Sequence, residues 1–325
     1  MGFKTSSLLF IFLIIVIIIE VSSCSRQPFN APVTNGPFIV FVSARDGDYS
    51  IYRMYEDGTA VTRLSDPSTD CVLRQCFDMY PTACKDDIAF SSNRTGRFQI
   101  YSMSMYGKNL TQLTNTAGTD SDAPDYSNDC NYLNYTVAQN TKRQVECMDL
   151  RTSYITQVTN DDGSGACCGK FSPDDKTIAY IHDPFPGANP IPSSEAPMSI
   201  YTISPDGSNR QRLCNTSQVF PPISWSPDGK YILFLMSSST TGHIQIFIMP
   251  VDCSAPPRPL SDPSFDCFDP SFSPDGNTIV YTSNQYGNSR IFIMNADGSN
   301  PRELTNDVHL NDQPAWQKGI VLPVQ

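Results

Sequence analysis

The sequence predicts an all-β fold, a six-bladed β-propeller of four-stranded antiparallel blades, and three observations support this prediction. Two short motifs recur together six times, about 45 residues apart. Each unit contains short alternating strands separated by the tight turns of a four-stranded sheet. The last unit is followed by a strand that the first unit lacks, so a ring of units can close.

Two sequence markers define the repeat. The first is an apolar-aromatic strand, found at Ile51-Tyr52, Ile100-Tyr101, Val145-Glu146, Ile200-Tyr201, Ile246-Phe247 and Ile291-Phe292. The second is a strand that ends in Leu or Val before a small residue, found at Leu64, Leu113, Val158, Leu213, Leu260 and Leu304. The two markers recur with the same period along the chain. This period with four strands is typical of propeller blades, because a lone four-stranded sheet must cover its faces by packing on neighbours.

Turn residues separate the strands within each unit. Pro presets φ, and Asp and Gly tolerate left-handed backbone, in Ser172-Pro173-Asp174-Asp175, Ser226-Pro227-Asp228-Gly229 and Ser273-Pro274-Asp275-Gly276. Hairpins are indicated at Asp57-Gly58, Asp206-Gly207 and Asp297-Gly298. The first unit begins at Pro37-Phe38-Ile39-Val40-Phe41 without an innermost strand. We expect the strand at Asp312-Gln313-Pro314-Ala315-Trp316 to complete blade one.

The N-terminus predicts an export signal. The apolar run from Leu8 to Ile19 would rise about 18 Å as a helix, well short of a hydrocarbon core of about 30 Å. Val21-Ser22-Ser23-Cys24 also resembles a lipobox, which makes Cys24 a lipidation candidate, and ordinary cleavage near a chance Cys is the alternative. The predicted organisation is a signal peptide or lipoprotein leader at 1–23, a short linker at 24–36, the propeller at 37–317 and a tail at 318–325.

Charge and cysteine content narrow the function classes. A net charge of −11 disfavours nucleic acid and anionic lipid as partners, because both would repel the protein. Ten cysteines follow Cys24, and this even number behind a secretion signal predicts disulfides rather than a zinc site. Because a strand's start lies beside the end of the next in an antiparallel pair, Cys130 and Cys147 are the best candidate pair. Cys71, Cys76 and Cys84 indicate a local cross-linked region, and Cys253 and Cys267 another.

Two further surface features follow from the sequence. Sequons at Asn93, Asn109, Asn134 and Asn215 are possible N-glycosylation sites in a eukaryotic secreted protein. Unit four carries a Pro- and Ser-rich insertion at 182–197, which predicts a surface loop.

The turn and strand motifs together resemble the β-propeller repeat of TolB and its relatives. The motifs are Phe171-Ser172-Pro173-Asp174, Trp225-Ser226-Pro227-Asp228-Gly229 and Phe272-Ser273-Pro274-Asp275-Gly276, and the resemblance covers 37–317. It implies a fold and no single activity, since such repeats occur in periplasmic assembly factors, in prolyl-type peptidases and in polysaccharide-degrading enzymes. TolB has an additional α/β domain ahead of its propeller, and the peptidases have a Gly-x-Ser-x-Gly elbow, which this sequence lacks.

The candidate binding residues are carboxylates that precede Pro where inner strands begin. Asp122, Asp269 and Asp312 have this position, and Asp78 before Pro81 is a looser case. Ring symmetry would bring them to one end of an axial channel, where they could accept a cation such as Ca²⁺ or a basic segment of a partner. The alternative is that each Asp caps its own turn. His182, His243 and His309 are not expected to converge, and no catalytic or metal-binding residue is assigned.

These features predict a secreted or surface-tethered scaffold that binds a protein or peptide without catalysis. We expect a monomer without nucleic-acid partners or cofactors, apart from Ca²⁺ at the channel mouth, located outside the cell or, in a bacterium, in the periplasm or on the outer surface. Membrane contact would run only through the leader or its lipid. The alternative is a lyase or hydrolase that acts on polysaccharide or peptide through the channel carboxylates, and carbohydrate binding without turnover is a third possibility. Carboxylates and a His within hydrogen-bond reach in a closed pocket would favour the enzyme.

Overall fold

The computed structural model describes residues 36–73, 75–139, 142–160, 164–184, 198–216 and 218–319. All of these residues belong to one compact unit, which begins at Gly36. The predicted leader, Cys24 and most of the predicted insertion lie outside the described residues. Within the described part, no helix has the length and apolarity needed to cross a membrane.

The described residues form an all-β propeller, with one short 3₁₀ turn, η1 (Pro67–Asp70). The first strands are β1 (Ile39–Ser43), β2 (Ser50–Met54), β3 (Thr62–Arg63), β4 (Asp78–Cys84), β5 (Asp87–Ser92), β6 (Gln99–Ser104), β7 (Thr111–Gln112), β8 (Asp120–Tyr126), β9 (Tyr132–Gln139), β10 (Lys142–Asp149), β11 (Tyr154–Gln157) and β12 (Gly165–Phe171). The remaining strands are β13 (Ile178–Asp183), β14 (Ser199–Ile203), β15 (Gln211–Arg212), β16 (Val219–Trp225), β17 (Tyr231–Ser237), β18 (Ile244–Pro250), β19 (Arg258–Pro259), β20 (Cys267–Phe272), β21 (Thr278–Ser283), β22 (Arg290–Asn295), β23 (Arg302–Glu303) and β24 (Asn311–Lys318).

Four of the sheets are separate four-stranded blades, formed by β8 to β11, β12 to β15, β16 to β19 and β20 to β23. The fifth sheet has eight strands in the order β3-β2-β1-β24-β4-β5-β6-β7. It consists of two groups of four that meet where Gln317 and Lys318 of β24 pair in parallel with Ala83 and Cys84 of β4. The repeat pattern did not predict this junction. It forms because β24 continues beyond Trp316, the last residue that it pairs with β1.

The predicted pairing of the C-terminal strand with the first unit is confirmed. β24 runs antiparallel to β1, with Trp316 opposite Ile39. The Gln317 N–H donates to the Phe38 carbonyl at 3.0 Å, and the Phe38 N–H donates to Gln317 Oε1 at 3.0 Å. The first and last strands of the described propeller are therefore neighbours in one sheet.

The two sequence markers are hydrogen-bonded to each other in every unit. In the first unit, the Leu64 N–H donates to the Ile51 carbonyl at 2.8 Å, and the Ile51 N–H donates to the hydroxyl of the following Ser65 at 2.9 Å. The same first bond joins Leu113 to Ile100, Val158 to Val145, Leu213 to Ile200, Leu260 to Ile246 and Leu304 to Ile291. The matching hydroxyls belong to Thr114, Thr159, Thr216, Ser261 and Thr305. This paired bond explains why a small hydroxyl residue accompanies the second marker.

Apolar side chains of adjacent blades pack on one another between the sheets. One cluster joins Leu233 and Ile246 of one blade to Phe272 and Tyr281 of the next. Another joins Tyr52 and Trp316 to residues of the last complete blade. The aromatic residues that recur in the first marker belong to these clusters.

The disulfide predicted between Cys130 and Cys147 is wrong. Cys147 lies opposite Asn134 in the β9–β10 pair, and Cys130 precedes Asn134 by four residues. At about 3.3 Å per strand residue, the two positions are roughly 13 Å apart, beyond the ~7 Å that a disulfide can span between Cα atoms. Cys130 instead bonds to Cys84 of the neighbouring sheet, with 5.8 Å between their Cα atoms.

Two other disulfides occur among the described residues, Cys71–Cys76 and Cys214–Cys253. The first confirms part of the predicted local cross-linked region. The second bonds Cys253 to a residue other than Cys267. Among the cysteines that the structure describes, four are thiols: Cys147, Cys167, Cys168 and Cys267.

Candidate functional site

The innermost strands of the propeller surround a cavity of about 580 Å³. Most of its wall is formed by β4, β8, β12, β16, β20 and β24, and Arg143 of β10 also lines it. We call the first six strands the cavity strands. The cavity strands are spread along the chain from β4 to β24, so residues far apart in the sequence meet at this cavity.

Each cavity strand departs from regular pairing at an equivalent place. In five of them one residue adopts positive φ, and these residues are Tyr80, Ala123, Cys168, Asp269 and Gln313. In β16 the irregular segment contains Pro221-Pro222. Pro follows directly in four strands, at Pro81, Pro124, Pro270 and Pro314. Since Pro cannot donate to the ladder, it favours a β-bulge, which turns the preceding side chains towards the cavity.

The three carboxylates predicted from sequence lie at these bulges. Asp122 and Asp269 line the cavity, and Asp312 precedes the lining residue Gln313. Burial raises the pKa of Asp269 well above its usual range, and the charge of Asp312 and a hydrogen bond with it add to this effect. Asp269 therefore keeps its proton to higher pH than an ordinary Asp side chain does. We call Asp122, Asp269 and Asp312 the carboxyl cluster.

The members of the carboxyl cluster differ in their surroundings. Burial raises the pKa of Asp122, and the nearby Arg143 guanidinium opposes this rise. Asp312 accepts a hydrogen bond from the Gln313 N–H at 3.0 Å, as the turn-capping alternative predicted. Asp78, the looser candidate, accepts two hydrogen bonds from Arg94, both at 2.9 Å, and is fully buried. Asp78 is thus an ion-pair residue rather than a cavity residue.

A second charged group lies further along the cavity strands and was missed by sequence reasoning. Asp125 accepts hydrogen bonds from Lys318 Nζ at 2.7 Å, Lys170 Nζ at 3.3 Å and the Phe171 N–H at 3.0 Å. Burial opposes ionisation of Asp125, but the two ammonium groups outweigh it and lower its pKa. We call Asp125, Lys170 and Lys318 the lysine cluster. Asp125 and Lys170 each lie two residues after a bulge residue, and this shared spacing was the available signal.

Comparisons with known proteins identify the repeat. A sequence model described as the TolB beta propeller domain matches residues 193–320. The crystal structure of TolB from Acinetobacter baumannii superimposes with a TM-score of 0.69 at 22% identity, over 87% of this chain and 67% of that one. The match to the TolB beta propeller domain thus covers the C-terminal part of the chain, and the structural similarity extends over most of it. The resemblance inferred from the turn motifs is thereby confirmed.

Two further comparisons define the extent of the similarity. The Tol-Pal system protein TolB of Anaeromyxobacter dehalogenans strain 2CP-C is 37% identical over 117 residues, which cover 36% of this chain and 26% of that protein. The chain thus matches about a quarter of that relative's length. An oligogalacturonate lyase in complex with manganese shares the fold, with a TM-score of 0.55 at 16% identity over 82% of this chain and 73% of that one.

The histidines of this TolB-like chain lie apart from the cavity. His243 Nδ1 is 3.1 Å from Asp266 Oδ1, and His182 Nε2 is 3.1 Å from Ser164 Oγ. His309 is exposed in the segment before β24. None of the three lines the cavity. In the described part of the chain, no group of three His, Cys, Asp or Glu side chains is arranged to hold a metal ion.

The four sequons of the TolB-like propeller differ in exposure. Asn134 is fully buried in β9, and Asn93 is 8% exposed with its Oδ1 accepting the Phe77 N–H at 2.7 Å. Asn109 and Asn215 are exposed. On the folded protein, only Asn109 and Asn215 are therefore placed to carry a glycan.

Proposed function

We propose that this TolB-like propeller is a non-catalytic scaffold that binds an extended segment of a protein or peptide at its cavity. The observation that carries this proposal is the arrangement of charge along the cavity strands. The carboxyl cluster lies at the bulges, and Asp125 of the lysine cluster lies three residues after Asp122, roughly 10 Å at ~3.3 Å per strand residue. A peptide with a basic side chain near the carboxyl cluster and an acidic group near the lysine cluster would complement both.

Rigidity supports a binding role. The carboxylates and ammonium groups lie on strands that pair with their neighbours in the sheets, and such strands hold polar groups more firmly than loops do. The absence of histidine from the cavity lining favours binding over acid–base catalysis. The name of the relative, a Tol-Pal system protein, suggests a multi-protein assembly as the setting.

We further propose that the propeller has six blades and acts outside the reducing cytosol. Each half of the eight-stranded sheet has the strand number and markers of one blade, which supports counting it as two. The three disulfides support an oxidising compartment, since such bonds persist there and are rare in the cytosol. Secretion or tethering at a surface is the corresponding location.

Selection of displayed random peptides on the immobilised protein tests the binding proposal. We expect enriched peptides to contain Lys or Arg, and to bind the Asp122→Asn/Asp312→Asn variant at least about tenfold more weakly, a difference of ~1.4 kcal/mol. Asp206→Asn, on an exposed outer hairpin, is the matched control and should bind as the parent does. Equal affinity of the parent and the double variant for every selected peptide would remove the basis of the proposal.

A polysaccharide lyase or hydrolase is the second candidate, favoured by the hydrogen bond between the Asp269 and Asp312 carboxyl groups beside the cavity. A buried carboxyl group with a raised pKa, such as that of Asp269, can serve as a general acid. Incubation with oligogalacturonate and Mn²⁺, followed by chromatography of the products, tests this function. Shortened oligosaccharides that disappear with Asp269→Asn would support the enzyme, and an unchanged substrate would reject this activity.

A further inference from the structure

Two adjacent cysteines, Cys167 and Cys168, lie at the bulge of β12 in the cavity wall. Cys168 lines the cavity and has a φ of 59°, and its N–H donates to Thr136 Oγ1 at 2.9 Å. Cys167 lies behind it and is 6% exposed. A molecule in the cavity can therefore reach the Cys168 side of the pair directly.

The two thiols act on each other electrostatically. A hydrogen bond from the Cys168 thiol lowers the pKa of Cys167, burial opposes this effect, and the Arg143 guanidinium adds to the lowering. The same hydrogen bond, together with burial, raises the pKa of Cys168. Cys167 is therefore the more readily ionised of the two thiols. A guanidinium beside the sulfur favours a thiolate and disfavours a bound metal cation.

The pair differs in geometry from the three bonded pairs. Their Cα atoms are 5.6 to 5.9 Å apart. Adjacent residues in a trans chain have Cα atoms about 3.8 Å apart, outside the usual disulfide range of about 4.4–6.8 Å. A disulfide between neighbours is therefore strained, and strained disulfides are more readily reduced. This strain is consistent with Cys167 and Cys168 being thiols in a molecule whose other close pairs are bonded.

We propose that Cys167 and Cys168 form a redox-active dithiol that closes reversibly to a vicinal disulfide by exchange with a low-molecular-weight disulfide in the cavity. Once Cys167 has ionised, Cys168 transfers its proton to the Cys167 thiolate and attacks one sulfur of the incoming disulfide. The disulfide's S–S bond breaks, one thiolate leaves, and a mixed disulfide forms on Cys168. Cys167 then gives its proton to that leaving thiolate and attacks Cys168 Sγ, which releases the second thiolate. The two thiols are oxidised, and the incoming disulfide is reduced to one thiol and one thiolate.

Incubation of the full chain in buffers of oxidised and reduced glutathione, followed by acid quenching and peptide mass analysis, tests this proposal. We expect the peptide with both cysteines to convert from dithiol to internal disulfide, and to be reduced again at glutathione ratios that leave Cys71–Cys76, Cys84–Cys130 and Cys214–Cys253 intact. A pair that stays reduced under the most oxidising buffer, in protein with an unchanged circular dichroism spectrum, would overturn it.

Variants separate the two sulfur roles. Cys167→Ser should accumulate a stable glutathione adduct on Cys168, because the resolving thiol is gone. Cys168→Ser should react much more slowly, because the remaining sulfur is buried. Cys267→Ser removes a buried thiol elsewhere and is the control, with conversion as in the parent. Equal adduct formation in the Cys167→Ser and Cys168→Ser variants would contradict the assigned order of attack.

Discussion

The outer strands and the cavity strands of the propeller follow opposite rules. In the outer part of every unit, the same pair of hydrogen bonds joins the two markers, as between Leu64 and Ile51. At the bulges of the cavity strands, each unit presents a different residue, among them Tyr80, Cys168 and Asp269. The repeated part fixes the architecture, and the varied part gives the cavity its chemistry. Substitutions in the two parts should therefore have different consequences.

Removal of the Trp316 side chain should have the largest effect. Trp316 is 3% exposed and packs where the first and last strands meet, so Trp316→Ala leaves a large void in the repeated architecture. We expect a loss of about 3–5 kcal/mol in the free energy of unfolding, measured by urea denaturation. Tyr231→Ala is the control, since Tyr231 is 43% exposed, and its loss should be much smaller. Similar losses for both variants would show that closure contributes little.

Replacing the charged Asp125 side chain, which lies in a cavity strand, by a neutral one should destabilise the protein. Asp125→Asn leaves the ammonium groups of Lys170 and Lys318 without their carboxylate. We expect a loss of roughly 2 kcal/mol at neutral pH, below the range for fully buried pairs because each lysine side chain is about a quarter exposed. The pKa of Asp125 is lowered in the folded state, so this contribution is present above the usual Asp pKa of about 3.9 and is lost on further acidification. A parent–variant difference that stays constant from neutral to acid pH would contradict this account.

A methyl group at Gly58 should disturb the contact between neighbouring units. A Cβ atom there would lie 2.8 Å from the carbonyl oxygen of Leu304, the second marker of the last unit. Gly47 is the matched control, since it also has positive φ but has no atom within 4 Å of such a Cβ. We expect Gly58→Ala to cost about 1–3 kcal/mol more than Gly47→Ala in thermal or urea unfolding. Equal losses of stability in the two variants would mean that the positive φ alone, and not the contact with Leu304, determines the effect of the methyl group.

Asp269→Asn should change the stability of the protein least at acid pH. As pH rises, it should stabilise the protein, unlike the three substitutions above. Because the pKa of Asp269 is raised in the folded state, its ionisation destabilises the parent as pH rises through that pKa. We therefore expect the variant to match the parent near pH 4 and to become relatively more stable at higher pH. Urea denaturation of both proteins across this range measures the difference. A variant that becomes less stable than the parent as pH rises would show that Asp269 is ionised in the folded protein.

The sequence predicted the features that depend on repetition. The marker phase identified all six units, and the missing strand of the first unit predicted the pairing of Trp316 with the first strand. The Asp residues that precede Pro indicated the members of the carboxyl cluster, because the bulges lie at equivalent positions in the cavity strands. Features that join residues without a shared repeat position were missed. Lys318 meets Asp125 across 193 residues, and Cys130 bonds across a sheet boundary to Cys84, so neither partner follows from local pairing rules.

The pairing of β1 with β24 has a consequence for engineering this chain. Because Phe38 and Gln317 exchange hydrogen bonds, a short Gly/Ser linker could join the two ends of the described propeller without stretching the sheet. A circularly permuted chain opened in the exposed turn at 239–242 would then keep every strand neighbour. Fusion partners could be attached there, on a different blade from the natural ends.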